Sequence, residues 1–170
     1  MKQAQVFLGI DPGFHITGYA IMKKEGGRIF VVDAHYLQMN PKKHLSERVH
    51  IFHDFFVEKI TQFSVDNIVL ETSFLGKNAQ TFLKLGYLRG ILYLLAAQHN
   101  LAIAEFAPRE VKQSIAGFGG ASKEQVAIAL QRYFPPLAKL ATNVRSDVTD
   151  ALAICMCGLW QSQQRALAQR

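Results

Sequence analysis

Asn67-Ile68-Val69-Leu70-Glu71 is a short β-rich run with a helical pattern before it and another after it. A nearly all-apolar strand in that setting is a buried, parallel one. Upstream, Val49, Phe52, Phe56 and Ile60 recur at three-to-four spacing within residues 46–63, which predicts an amphipathic helix. Downstream, residues 79–99 read as a long helix and 102–106 as a second short strand, so the middle of the chain alternates β-α-β. Ahead of all this lie three extended segments, 6–10, 16–22 and 28–38, punctuated by Gly13 and Gly26-Gly27. An antiparallel meander is their simplest arrangement. Pro108 opens a helix to about Ala116, which Gly117, Gly119 and Gly120 break. Ser122 with Gln125 forms a capping-box pattern for a helix to about Phe134, stopped by Pro135-Pro136, and a last helix runs from about Asp147 to Gln163. The expectation is an α/β protein with a mixed five-stranded sheet, antiparallel at its start and parallel later, helices on both faces, in a single domain over 1–170.

The 170 residues are 49% hydrophobic and 19% charged, which excludes disordered and collagen-like chains. Nineteen Lys and Arg against thirteen Asp and Glu give a net charge of +6, which points to a polyanionic partner such as nucleic acid. The longest uncharged stretch, 90–104, is too short for a bilayer span and carries Gln98, His99 and Asn100. The N-terminus lacks the pattern of an export signal. Cys155 and Cys157, two apart on a helix, point to nearly opposite sides and cannot pair. A soluble protein of the reducing cytoplasm, with no membrane partner, is expected.

Four acids stand at the edges of apolar elements. Asp11 closes one strand and Glu71 another; each alone reads equally as a turn residue or a charge emerging into solvent. Asp147 and Asp150, at i and i+3, share one face of the last helix. Helix-dipole stabilisation would explain them, but residues 151–160 have no polar side chain apart from two thiols, so that helix has no wet face. Half-buried acids with no basic neighbour in their own segment call for a cation. If the strand ends of Asp11 and Glu71 converge on that helix, four carboxylates would suit two Mg²⁺ or Mn²⁺ ions, and the chemistry would be phosphodiester hydrolysis. His50 and His53 at i, i+3 have no further ligand in helical register and read as ordinary surface histidines.

These residues carry a resemblance. Leu8-Gly9-Ile10-Asp11-Pro12-Gly13 with Thr17-Gly18-Tyr19, then Glu71-Thr72-Ser73-Phe74 and Lys77-Asn78, resemble the RuvC family of bacterial Holliday junction resolvases. Lys84-Leu85-Gly86, Arg89-Gly90, Val111-Lys112-Gln113, Ser122-Lys123-Glu124-Gln125-Val126 and residues 147–154 follow that family's blocks in order. The resemblance implies a ribonuclease H-like fold and a cytoplasmic homodimer that nicks two symmetry-related strands of a four-way DNA junction in recombination and repair. It implies Mg²⁺, two per subunit with Mn²⁺ able to substitute, held by the catalytic acids Asp11, Glu71, Asp147 and Asp150. Phosphate contacts are implied for Lys112 and Lys123, DNA contact for Lys77, and contact with bases at the junction centre for Phe74. The branch-migration complex RuvA-RuvB is the implied partner. Thr72-Ser73 is not the commonest version of that block, which leaves sequence preference open. The alternatives are a ribonuclease H-like nuclease acting on RNA precursors and a non-enzymatic junction-binding protein; a phosphate-binding fold of the actin and sugar-kinase type would need a second lobe. The helix over 79–99, apolar nearly all round, needs a burial partner beyond one sheet face, either another helix of the domain or a second subunit.

Overall fold

The computed structural model describes residues 4–72, 79–134 and 145–168. Strands β1 (Gln5–Asp11), β2 (Ile16–Glu25) and β3 (Arg28–Gln38) form the expected antiparallel meander. Helix α1 (Leu45–Phe63) leads to β4 (Asn67–Glu71), which pairs parallel with β1, and α2 (Ala79–Gln98) leads to β5 (Ala102–Phe106), which pairs parallel with β4. The sheet order is β3-β2-β1-β4-β5. Helices α3 (Pro108–Ala116), α4 (Lys123–Tyr133) and α5 (Ser146–Ala168) complete the described elements. The last helix is longer than its sequence pattern predicts, beginning at Ser146 and running to Ala168.

Alternation along the central strands divides the core in two. Phe7, Ala20, Met22 and Val69 face one layer with α3, α4 and α5, while Leu8, Ile10, Ile21, Ile68 and Leu70 face the other with α1 and α2. Ser122 caps α4 as its sequence pattern demands: its hydroxyl accepts from Gln125 N–H at 3.3 Å, and its own N–H donates to Gln125 Oε1 at 2.9 Å. Arg48, at i−4 from Phe52 on the stripe that carries Phe56 and Ile60, is buried with them although charged; it lies 4.6 Å from the Phe14 ring centroid and donates to the Phe14 carbonyl, tying α1 to the turn after β1.

Helix α5 lies closer to the sheet than a side-chain layer permits. A Cβ on Gly9 of β1 would stand 2.6 Å from the Ala151 carbonyl oxygen and 2.5 Å from Cys155 Cβ. One on Gly18 of β2 would stand 2.0 Å from the Asp147 carbonyl oxygen. Gly18 is the register partner of Asp11. The glycine therefore sets the first turn of α5 beside the end of β1. Cys155 and Cys157 are both buried free thiols, and Cys155 lies in this seam. Gly18→Ala is expected to lower stability by about 1–3 kcal/mol through overpacking. Gly120→Ala, whose Cβ would meet nothing closer than 3.9 Å, should change it by no more than about 0.5 kcal/mol. Chemical denaturation of both variants measures the contrast, and equal effects would remove the close approach as a constraint.

Candidate active site

The parallel pairing of β1 with β4 runs through Ile10–Leu70, so Asp11 and Glu71 end adjacent strands at the same level. Their side chains follow the parity of Phe7 and Val69 and point to the α5 face. There Asp11, Glu71 and Asp150 line one cavity of about 270 Å³, together with Lys112 of α3 and Lys123 at the start of α4. Asp147 stands outside that lining but near enough to act on Asp11. Two strands and a helix far apart in sequence thus bring the four predicted acids together, and both predicted phosphate lysines arrive with them. Phe74 and Lys77 lie outside the described residues.

The electrostatics follow from this crowding. Burial, and then the charges of Asp150, Glu71 and Asp147, push the Asp11 carboxyl from 3.8 up to about 7, with Lys123 opposing. Glu71 is raised by burial and by Asp150, against the pull of Lys123 and Lys112. Lys123 Nζ lies 2.6 Å from Asp150 Oδ2, and that hydrogen bond raises its own pKa. The expectation that the helical acids lack a basic neighbour in their own segment is corrected: Arg145 Nε, two residues ahead, is 3.3 Å from Asp147 Oδ2. Even so, no salt bridge among the described residues reaches Asp11 or Glu71. Converging carboxylates that hold their protons this tightly fit hard divalent cations, which take oxygen donors and relieve the repulsion.

A second correction concerns His50 and His53. Asp54 supplies the third group that sequence spacing overlooked, since it lies at i+4 from His50; its two oxygens are 3.3 Å from His50 Nε2 and 2.8 Å from His53 Nδ1. The trio stands on the exposed face of α1 and its members are satisfied by one another. Sequence reading also passed over Gly9 and Gly18 as contact points, although a glycine inside a strand signals close approach.

The family model described as Crossover junction endodeoxyribonuclease RuvC matches residues 7–158. The chain belongs to the RuvC family. A protein of that name from Pelodictyon phaeoclathratiforme is 39% identical over 160 residues, covering 94% of this chain and 82% of its own. One from Chloroherpeton thalassium is 38% identical over 164 residues, covering 96% and 87%. Among solved structures, T. thermophilus RuvC in complex with Holliday junction substrate superposes with a TM-score of 0.82 at 23% identity, over 94% of this chain and 96% of that one. The yeast mitochondrial Holliday junction resolvase gives 0.71 at 17% identity, over 94% and 80%. At those identities the structural likeness speaks to fold, and the fold is the ribonuclease H-like one expected for RuvC proteins.

The Asp11 shift gives a pH signature. The folded protein holds this proton up to about 7, whereas an ordinary carboxyl releases it near 3.8. The folded state therefore binds more protons across that window, and stability falls as pH rises through it. In chelator, wild type should lose melting temperature relative to Asp11→Asn between about pH 4 and pH 7 and stay level above. Parallel pH profiles for the two proteins would remove the strained carboxylate.

Proposed function

We propose that this protein is a metal-dependent endonuclease of the cytoplasm that resolves Holliday junctions by nicking two symmetry-related strands, with residues 1–170 serving as one nuclease domain. The observation that carries the reading is the meeting of Asp11, Glu71 and Asp150 with Lys112 and Lys123 around one cavity, Asp147 beside it. In this reading the four acids hold two Mg²⁺ ions, for which Mn²⁺ can substitute. When bound, the ions supply an activated water and stabilise the leaving 3′ oxygen. The acids from β1 and β4 approach from the sheet and those of α5 from the side, so the donor set is fixed by packing before substrate arrives. Lys112 and Lys123 draw a phosphate toward a cavity whose carboxylates would otherwise repel it. Phe74 and Lys77, three and six residues beyond Glu71, are assigned to DNA contact, Phe74 at the junction centre, where an aromatic ring stacks on exposed bases.

A homodimer is part of the proposal. The outer face of α2 leaves Leu83 57% and Leu94 51% exposed, and neither Gly86 nor Gly90 has an atom within 4 Å of an added Cβ. With Leu45 and Val49 of α1, Gly86, Gly90 and Leu94 border an open apolar groove. A second copy seated there would place two sites across a two-fold axis, matching the symmetry of a four-way junction. The RuvA-RuvB branch-migration complex is the proposed partner. No helix among the described residues is long and apolar enough to cross a membrane.

The test is a labelled four-way junction incubated with and without Mg²⁺. Paired, symmetry-related nicks that require the metal are expected; equal cutting of linear duplex, or a preference for RNA, would overturn the assignment. Asp11→Asn, Glu71→Gln, Asp147→Asn and Asp150→Asn should each lower cleavage by more than about 100-fold, beyond the loss of an outer partner, while junction binding is kept. Lys112→Ala and Lys123→Ala should each slow cleavage and flatten the salt dependence of binding by up to about 0.9 log unit per log unit of salt. Phe74→Ala should bind junctions and cut them poorly. On a supercoiled plasmid with an extruded cruciform, wild type should yield linear product, and a heterodimer with one Asp147→Asn subunit mainly nicked circles; linear product at wild-type yield from the heterodimer would refute coupled sites.

A further inference from the structure

Arg89 lies on α2 with its side chain only 12% exposed, and it donates in two directions. Nη1 reaches the backbone carbonyl oxygen of Glu71 at 2.6 Å, and Nη2 reaches the Glu105 carboxylate on β5. One turn further along α2, Tyr93 donates its hydroxyl to the same Glu105 oxygen at 2.6 Å. Glu105 thus holds the guanidinium in place, and the guanidinium holds the last carbonyl of β4.

That carbonyl has no partner within the sheet. The pairing of β1 with β4 stops at Ile10–Leu70, one residue short of Glu71. On the other side the N–H of Thr72 donates to the Phe106 carbonyl at 2.8 Å. Because C=O and N–H of one trans peptide point opposite ways, the Glu71 carbonyl is turned away from β5. A half-buried carbonyl in that position needs a donor, and Arg89 is the donor provided. The geometry has a further consequence, since the Glu71 side chain projects to the α5 face whereas Ile68, Leu70 and Ile103 face α1 and α2, as Glu105 does by parity. The residue is gripped by its backbone from one face of the sheet and presents its carboxylate on the other.

We infer that Arg89 is a positioning residue for Glu71: held by Glu105 and Tyr93, it fixes the end of β4 and so aims the Glu71 carboxylate into the acid cavity. This rests on the reading of Glu71 as a metal ligand. A fork that donates to a carbonyl and a carboxylate at once is a guanidinium property that an ammonium does not reproduce. Partners one step behind a metal ligand typically tune metal affinity by about 10- to 100-fold when removed.

The measurement is direct Mn²⁺ binding to the whole chain, followed by the electron paramagnetic resonance signal of the free ion, alongside junction binding in chelator and thermal melting. Arg89→Ala should weaken Mn²⁺ binding by about 10- to 100-fold and leave chelator-phase junction binding unchanged. Arg89→Lys should recover part of the loss, because it keeps one donor for the carbonyl. Leu92→Val removes a methylene from a fully buried position of the same helix and should lower the melting temperature without changing Mn²⁺ affinity. The inference is overturned if Arg89→Ala binds Mn²⁺ as wild type does, or if Leu92→Val at matched loss of melting temperature weakens Mn²⁺ equally. Should Arg89→Ala fail to fold, Arg89→Lys carries the test, and wild-type Mn²⁺ affinity in that variant overturns the inference. Glu71→Gln separates the two readings. Undiminished Mn²⁺ binding in Glu71→Gln removes Glu71 as a ligand, whereas weak binding there with normal binding in Arg89→Ala removes only the role of Arg89.

Discussion

Backbone-to-backbone contact between α5 and the sheet is the constraint on which the site depends. Wherever a strand presents Cβ atoms, a helix sits about 10 Å away, separated by a side-chain layer. At Gly9 and Gly18 that layer is missing, and the Asp147 and Ala151 carbonyls come down onto the strands. Carboxylates on short side chains can then meet across two kinds of element. Were α5 raised by one methyl group, Asp150 and Asp11 would each be acids at the edge of an apolar element and nothing more. The turn at the end of β1 is held with similar economy: buried Thr17 accepts from Gly13 N–H at 3.1 Å and donates to the Gly13 carbonyl at 2.8 Å, closing the loop that follows Asp11.

Bringing four acids together opposes folding, and the surrounding structure offsets this only in part. Lys123 and Arg145 each take one carboxylate of α5, while Asp11 and Glu71 keep raised proton affinities. A site strained in this way is selective by electrostatics, since a cation or a proton relieves it and an anion aggravates it. In the proposed function Lys112 and Lys123, which line the same cavity, supply the complementary half by making the approach attractive to phosphate. The same residues that lower stability are therefore the ones that define what binds.

Much of this was legible in the sequence because it follows local rules. Three extended segments punctuated by Gly13 and Gly26-Gly27, the run of Asn67 to Glu71 between helices, and the Ser122–Gln125 capping box predicted the meander, the parallel strands and α4 where they stand. The i, i+3 spacing of Asp147 and Asp150 ahead of an apolar helix predicted that they face protein. What escaped was long-range and made through the backbone. Gly18 meets a carbonyl far along the chain, and a glycine's pattern does not name its partner. Arg89 acts on a main-chain oxygen, which no side-chain motif records. Arg48 was hidden because a buried guanidinium over Phe14 breaks the polar-outside rule on which helical patterns rely. Arg145 and Asp54 were within reach of simple spacing arguments, at two and four residues from their partners.

The tight seam under α5 also governs how the protein meets oxidants. Burial pushes the Cys155 and Cys157 thiols up to about 12, so thiolate, the form that peroxides attack, is scarce at cellular pH. Cys155 Sγ points at the Phe7 carbonyl, 3.4 Å away, and the residue is fully buried. Oxidation there would require α5 to lift from the sheet, which is also the motion that would scatter the acids. Chemical inertness of Cys155 and integrity of the site thus share one contact, and an enzyme that repairs DNA keeps its own chemistry shielded under conditions that damage its substrate.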